Sequence, residues 1–248
     1  MFKFFRHIRQ SLINQNKMGK YFKYAIGEII LVVIGILIAL QINNWNENRL
    51  QNINETKFLN GIHSEFKLNK AYLNNSRNSN SKSLNIGKLL MGFINQDIEL
   101  LKATNTDSLI FHVFEYGGFE ISENAVMEVM QVGQLQKLKN DTLKSLILEW
   151  SQKKINVARN RENMTKKSLY LIEYLVDRYP IKNIDMYGIL NWEKPSTIKV
   201  NKYAIFYDLK FENLLDDYLY NLKQYDNNLK DINKVVDGII ENSTPIYD

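Results

Sequence analysis

The chain has 248 residues, and its 32 basic and 27 acidic residues give a formal charge of +5. Apolar residues make up 45% and charged residues 24%, which is ordinary for a packed protein and argues against disorder and against many membrane spans. The absence of cysteine excludes disulfides, thiolate metal sites and cysteine nucleophiles, so helix packing must supply the stability.

Residues 1–19 form a basic amphipathic segment, predicted to be cytoplasmic. Its apolar and polar residues fall on opposite helical faces, with Met1, Phe4, Phe5, Ile8 and Leu12 on one and Lys3, Arg6, His7 and Gln10 on the other. This pattern favours a short helix in the lipid headgroup layer, the alternative being a frayed basic tail. The six cations before residue 25 are accompanied by no acid: Lys3, Arg6, Arg9, Lys17, Lys20 and Lys23. The rest of the chain has 26 basic and 27 acidic residues, so the charge excess indicates membrane topology and not nucleic-acid binding.

Residues 20–44 are predicted to form a single transmembrane helix. The 18 residues from Ala25 to Ile42 would span about 27 Å, close to the hydrocarbon thickness of a bilayer. A signal peptide would have a shorter apolar stretch and a cleavage site of small residues, whereas this stretch runs into QINNWNENRL, so we expect a retained signal-anchor. A buried core helix is the other alternative, but aromatic residues flank the segment as interface anchors do: Tyr21, Tyr24 and Trp45.

The charge asymmetry predicts a cytoplasmic N-terminus and an exported domain at residues 45–248. Within the span, Glu28, Gly35 and Ala39 share one helical stripe. Small residues allow another helix to approach closely, so the stripe is a candidate for association with a second copy or with another membrane protein. The alternative is that Glu28 only reaches the headgroups.

The block KYFKYAIGEIILVVIGILIALQINNWNENR, preceded by FKFFRHIRQ, closely resembles the start of a family of uncharacterised single-pass membrane proteins of Bacteroidota, the domain-of-unknown-function 6090 family. The later stretch ENAVMEVMQVGQLQKLKNDTLKSLILEW is similar to the second recurrent segment of that family. The resemblance implies a bacterial inner-membrane protein with a periplasmic helical domain, and it supplies no activity.

The rest of the chain is predicted to be helical. Residues 45–76 continue as helix, the polar cluster SRNSNSKS at Ser76 to Ser83 indicates a turn or disordered tip, and Leu84 to Ile94 forms a second helix. Shorter helices are expected from Asp107 to Tyr116, stopped by two glycines, and from Ser122, as a cap, to Val132, closed by Gly133.

Two long helices follow, separated by a connection of low helical propensity at Ile181 to Lys202. Asp141 to Tyr179 contains no proline or glycine, and Pro180 ends it. The last helix carries a coiled-coil-like heptad seam at Phe211, Leu215, Tyr218, Leu222, Tyr225, Leu229, Ile232, Val236 and Ile239. The fold class is therefore all-α, with one N-terminal transmembrane helix followed by an antiparallel bundle of long helices.

The long middle helix places polar residues beside its apolar seam. Lys154 and Arg161 would be costly there unless paired or solvated. The first interpretation is charge pairing with the acidic last helix, and the sharper hypothesis is an anion-binding groove at these two residues.

No catalytic, cofactor or metal site is predicted. His63, Ser64 and Glu65 are neighbours on a helix and point in different directions, and the three histidines are isolated. The sequence therefore predicts a membrane-anchored interaction or scaffold subunit that is not an enzyme, whose partners are the lipid bilayer and another membrane or periplasmic protein or itself. The alternative is a sensor-like domain that binds a ligand between its helices and signals through the span, since only about 20 residues precede that span.

Overall fold

The computed structural model of the chain describes residues 18–118, 120–131 and 133–244, and these are helical with no strand among them. The long helices are α1 (Met18–Met91), α5 (Asp141–Val176) and α7 (Leu209–Asn242). Between them lie α2 (Ile98–Ala103), α3 (Thr106–Val113), α4 (Asn124–Gln131), α6 (Ile181–Ile184) and 3-10 turns at Gln134–Lys137, Asp185–Tyr187 and Lys202–Tyr207. The predicted all-helical class is confirmed, while the amphipathic segment predicted for residues 1–19 lies almost wholly outside the described residues.

The chain divides into two compact units, one ending at Lys57 and the other beginning at Phe58. In the first unit the described residues are a single stretch of α1. In the second unit, the part of α1 from Phe58 onward joins α5, α7 and the short helices around one core.

Helices α5 and α7 are antiparallel neighbours. At one end the side-chain amide of Asn140, which caps α5, lies 3.3 Å from Asn242 O, and at the other the Tyr174 hydroxyl donates to Asp208 Oδ2 at 2.6 Å. Every residue of the predicted heptad seam on α7 is buried, as are the five apolar residues spaced seven apart on α5: Leu143, Trp150, Val157, Met164 and Leu171. The predicted antiparallel bundle is confirmed.

The part of α1 in the second unit also runs antiparallel to α7. His63 Nδ1 lies 3.1 Å from Ile240 O, and further along the Lys70 ammonium pairs with Asp237 at 2.6 Å. Toward α5, the Phe66 ring meets the Trp150 ring edge to face, with centroids 5.1 Å apart. Three long helices thus share the core, and α7 is antiparallel to both others.

The turn predicted at Ser76 to Ser83 is wrong, because α1 passes through this cluster without a break. Ser76, Asn80 and Ser83 lie four and three residues apart, face inward and are buried. Ser76 Oγ donates to Gly117 O at 3.0 Å, Asn80 Oδ1 accepts from Gly117 N at 2.9 Å, and Ser83 Oγ donates to Val113 O. The polar residues therefore bind backbone groups at the end of α3 and just after it, and no separate helix begins at Leu84.

The shorter predicted helices occur close to their expected bounds. Helix α3 ends before the two glycines, and Gly133 adopts the left-handed conformation, with φ of +66°, after α4. Ser122 does not start α4, because its hydroxyl donates to the Glu65 carboxylate at 2.7 Å and that carboxylate accepts from the first amides of the helix. The connection before α7 contains only short turns of helix, as predicted.

Candidate functional site

The apolar segment of the first unit is exposed on all sides. No residue in its most apolar 18-residue window is buried, and every side chain from Ile29 to Leu40 is exposed. Among the described residues, α1 is the one helix long and apolar enough to cross a membrane, by length and composition. A core helix would be covered by other elements, so the absence of cover favours a membrane span over that alternative.

Exposed aromatic side chains flank the apolar segment on both sides. The exposed side chains of Tyr24 and Trp45 are 21 residues apart, which corresponds to about 32 Å along a helix. Tyr21 lies within α1, and its side chain is not among those described. The spacing matches the two interfaces of a bilayer.

Glu28, Gly35 and Ala39 lie seven and four residues apart in α1, which places them on one stripe of the helix. Gly35 and Ala39 are exposed, Glu28 is half-buried, and a Cβ added to Gly35 would meet nothing within 4 Å. The stripe is thus open to another helix, and its role in association stays a prediction.

Lys154 and Arg161 line one pocket of about 370 Å³ on α5, as the sequence hypothesis required. The remaining lining residues are Ile121, Val157, Ala158, Glu162, Thr165 and Lys166. Lys154 is half-buried and pairs with the carboxylate of Glu123, whereas Arg161 is exposed. Within the part of the chain that the structure describes, Arg161 has no ion pair or hydrogen bond, so its guanidinium is the group there that is open to an anion.

The Arg161 guanidinium lies beside Gly118, in the backbone after α3. A Cβ added to this glycine would lie 2.9 Å from Arg161 Nη2, closer than van der Waals contact allows. A side chain at position 118 would therefore require the flexible Arg161 side chain to shift.

The expected charge pairing between α5 and α7 occurs at Lys167, whose ammonium lies 2.7 Å from the Asp217 carboxylate. Other cations of α5 pair within their own helix, Lys153 with Glu149 at 3.4 Å and Lys166 with Glu162 at 2.8 Å. The partner of Lys154 lies just before α4 instead. Helical periodicity could not predict this partner, Glu123, because it belongs to a loop.

The sequence also gave no role to Glu65, which is buried to all but 7% of its surface. Its carboxylate accepts hydrogen bonds from Ser122 Oγ at 2.7 Å, Ala125 N at 3.0 Å and Val126 N at 3.4 Å. It therefore caps α4 from α1, where it satisfies amides that have no partner within their own helix. Helix α1 thus directs Glu65 toward α4 and His63 toward α7.

A second polar cluster closes the other end of the bundle. The Tyr179 hydroxyl donates to Asp107 Oδ1 at 2.6 Å, and the Lys202 ammonium donates to Asp107 Oδ2 at 2.7 Å. Burial raises the pKa of Tyr179, and the hydrogen bond to Asp107 raises it further, so the phenol remains a donor. This cluster ties α3, the end of α5 and the chain before α7 together.

Residues 28–86 match the model of a family of unknown function, DUF6090, so the resemblance noted from the sequence is confirmed over this range. The matched range includes most of the apolar segment, Glu65 and the buried Ser76, Asn80 and Ser83. Neither the curated proteins nor the solved structures provide a match.

Proposed function

We propose that this chain, which matches the model of the DUF6090 family over residues 28–86, is a membrane-anchored interaction or scaffold subunit without catalytic activity. In this proposal α1 crosses the bacterial inner membrane once, the N-terminus is cytoplasmic, and the domain from residue 45 onward is periplasmic. The bacterial assignment rests on the resemblance to proteins of Bacteroidota. Its partners are lipid and another membrane or periplasmic protein or a second copy.

The uncovered apolar helix is the observation that carries the anchor. Ten of the twelve residues from Ile29 to Leu40 are Ile, Leu or Val, each contributing about −0.3 to −0.6 kcal/mol to membrane insertion. The sum is roughly −3 to −6 kcal/mol. A single Glu28 near the end of the span does not offset this, because a charge has its full cost only at the bilayer centre.

Two measurements test the anchor and its orientation. The native chain should stay with bilayers in alkaline carbonate, and alkaline phosphatase fused after Asp248 should be active while a green fluorescent protein fused there is dark. Replacing the six N-terminal cations with glutamine should weaken this orientation, because the positive charge fixes it. Extraction by carbonate, or a fluorescent C-terminal fusion in the native sequence, would rule out the proposed topology.

The interaction role is supported by an exposed apolar row on α5. Leu148, Ile155, Leu169 and Val176 are separated by multiples of seven residues, and Ile172 lies between the last two on the same side. Each is at least partly open to solvent although α5 buries a separate seam in the core. An apolar row of heptad spacing on a helical surface suits contact with another helix.

Cross-linking and co-purification in mild detergent test this role. Ile155→Ser with Leu169→Ser should release a partner bound through α5, and Gly35→Leu with Glu28→Leu should reduce contacts made through the span. Leu68→Ser, an exposed apolar residue on α1, serves as the control for loss of surface hydrophobicity. Unchanged complexes in both sets of variants would contradict an interaction role for these surfaces.

The second candidate function is a ligand-binding sensor, and the open Arg161 in its pocket favours it. In this case an anion would bind between Arg161 and Lys154, and the domain would signal through the span to a partner. Titration of the full chain with inorganic phosphate should show binding that both Arg161→Met and Lys154→Met abolish, with Arg159→Met as a control on the same helix. Failure of both variants to change anion binding would remove this candidate.

A further inference from the structure

The connection between α6 and α7 presents two large aliphatic side chains at the point of a turn. Asn191 N donates to Gly188 O at 3.1 Å, which closes a four-residue turn with Ile189 and Leu190 at its centre. The relative exposure of Ile189 is 105% and that of Leu190 is 59%. Such central positions are usually taken by glycine, proline, asparagine, aspartate or serine. Among the residues that the structure describes, Ile189 has no apolar cover and Leu190 has little.

The turn is held in place by its own domain. A Cβ on Gly188 would lie 2.9 Å from the Phe111 ring, so the backbone packs directly against α3. Asn183 Oδ1 accepts from Ser196 N at 2.8 Å, which joins the two sides of the loop. The aliphatic pair is therefore displayed on a supported backbone, at the end of the second unit far from Phe58.

Further apolar and basic side chains surround this pair. Trp192, Ile198 and Val200 are exposed in the same loop, and we call residues 187–200 the apolar tip. Exposed lysines lie within and beside it at positions 182, 194 and 199, against one exposed acid at position 193. The Lys182 ammonium lies 5.4 Å from the centre of the Trp192 ring. Aliphatic residues, a tryptophan and lysines together are the composition of surfaces that lie in the headgroup layer of a membrane.

We propose that the apolar tip inserts into the surface of an anionic phospholipid bilayer other than the one that holds α1. A stable protein interface needs about 800 Å² of matching surface on each partner, and a convex turn offers little area to a flat or rigid partner. Lipid closes around a convex apolar point, and the three lysines meet anionic headgroups. This contact is separate from the anchor in α1, so either can fail without the other.

Vesicle flotation tests the contact in the full chain. The chain is held in nanodiscs of neutral phosphatidylcholine and mixed with vesicles of phosphatidylglycerol and phosphatidylcholine. Co-flotation should fall at least about tenfold in Ile189→Ser with Leu190→Ser, because two inserted aliphatic side chains are lost. Leu68→Ser with Leu89→Ser removes a similar exposed pair from α1 and should leave co-flotation unchanged. Equal co-flotation of the tip variant and the native chain would overturn the proposal.

A fluorescent label shows which bilayer is bound. Because the chain has no cysteine, Leu190→Cys gives a single site for an environment-sensitive dye, and Gln152→Cys on α5 gives a control site. A blue shift at position 190 in discs of phosphatidylglycerol without vesicles would overturn the proposal in favour of the bilayer of the anchor. A shift only after vesicles are added would support a second bilayer. Absence of a shift in both cases would overturn the proposal. If the unlabelled Leu190→Cys chain then forms disulfide-linked dimers, the occupant is a second copy.

Discussion

Replacing Glu65 with alanine should open α4 while the long helices stay folded. The native carboxylate accepts two amides of the first turn of α4 and the Ser122 hydroxyl, in a site where Val126 is 2% exposed. After the substitution the two amides have no replacement acceptor, and water reaches them only if the helix moves. Unsatisfied buried donors and the loss of a cap together cost about 2–4 kcal/mol.

Hydrogen exchange of the full chain in detergent measures this cost directly. A loss of about 2–4 kcal/mol of local stability corresponds to a roughly 30- to 1000-fold loss of protection in Asn124–Gln131. Protection in the centre of α7 should change far less. Glu65→Gln keeps one acceptor oxygen, so the protection of α4 in this variant should lie between that of the native chain and that of Glu65→Ala.

Glu128→Ala is the matched control, since this carboxylate lies on the exposed side of α4. Its removal should leave protection within about twofold, because alanine is a better helix former than glutamate. If Glu65→Ala leaves α4 as protected as in the native chain, the carboxylate does not cap α4 and the assigned role is wrong.

Three further predictions concern the bundle. Gly117→Ala should destabilise the chain by at least about 2 kcal/mol in urea denaturation, because its Cβ would lie 2.5 Å from Ser76 Cα. Gly61→Ala meets only an ordinary 3.6 Å contact and should stabilise α1 by about 0.5–1 kcal/mol. Equal effects of the two substitutions would contradict this reasoning. Leu229→Ala should lower the free energy of unfolding by about 2–5 kcal/mol, and a loss under 1 kcal/mol would show that the seam is not packed there. The hydrogen bond from Tyr174 lowers the pKa of Asp208 from 3.8 in the folded chain. The ionised Asp208 therefore stabilises the fold fully above that pH, and this contribution is lost as the pH falls through the lower folded pKa. Asp208→Asn should make the free energy of unfolding less dependent on pH in this acid range, and an unchanged dependence would refute the prediction.

The candidate site was only partly predictable from the sequence. Lys154 and Arg161 share a pocket because residues seven apart lie on one helical face, and that relation follows from local geometry. Their different environments do not follow from it. Lys154 is paired because the loop before α4 brings Glu123 to it, and the Arg161 guanidinium lies beside Gly118 of the loop after α3.

The sequence by itself determined the all-helical class, the apolar segment and the buried seams of α5 and α7. Each of these depends on side-chain pattern within one helix, where neighbours three or four residues apart must meet. Only the tertiary structure decided that α1 continues through Ser76, Asn80 and Ser83 and that Glu65 caps α4. It also decided that Ile189 and Leu190 lie at the centre of an exposed turn. Polar clusters favour a turn when water is their only hydrogen-bond partner. Here backbone groups at and after the end of α3 form hydrogen bonds with the three side chains, so a continuous buried helix has a lower free energy than an interrupted one.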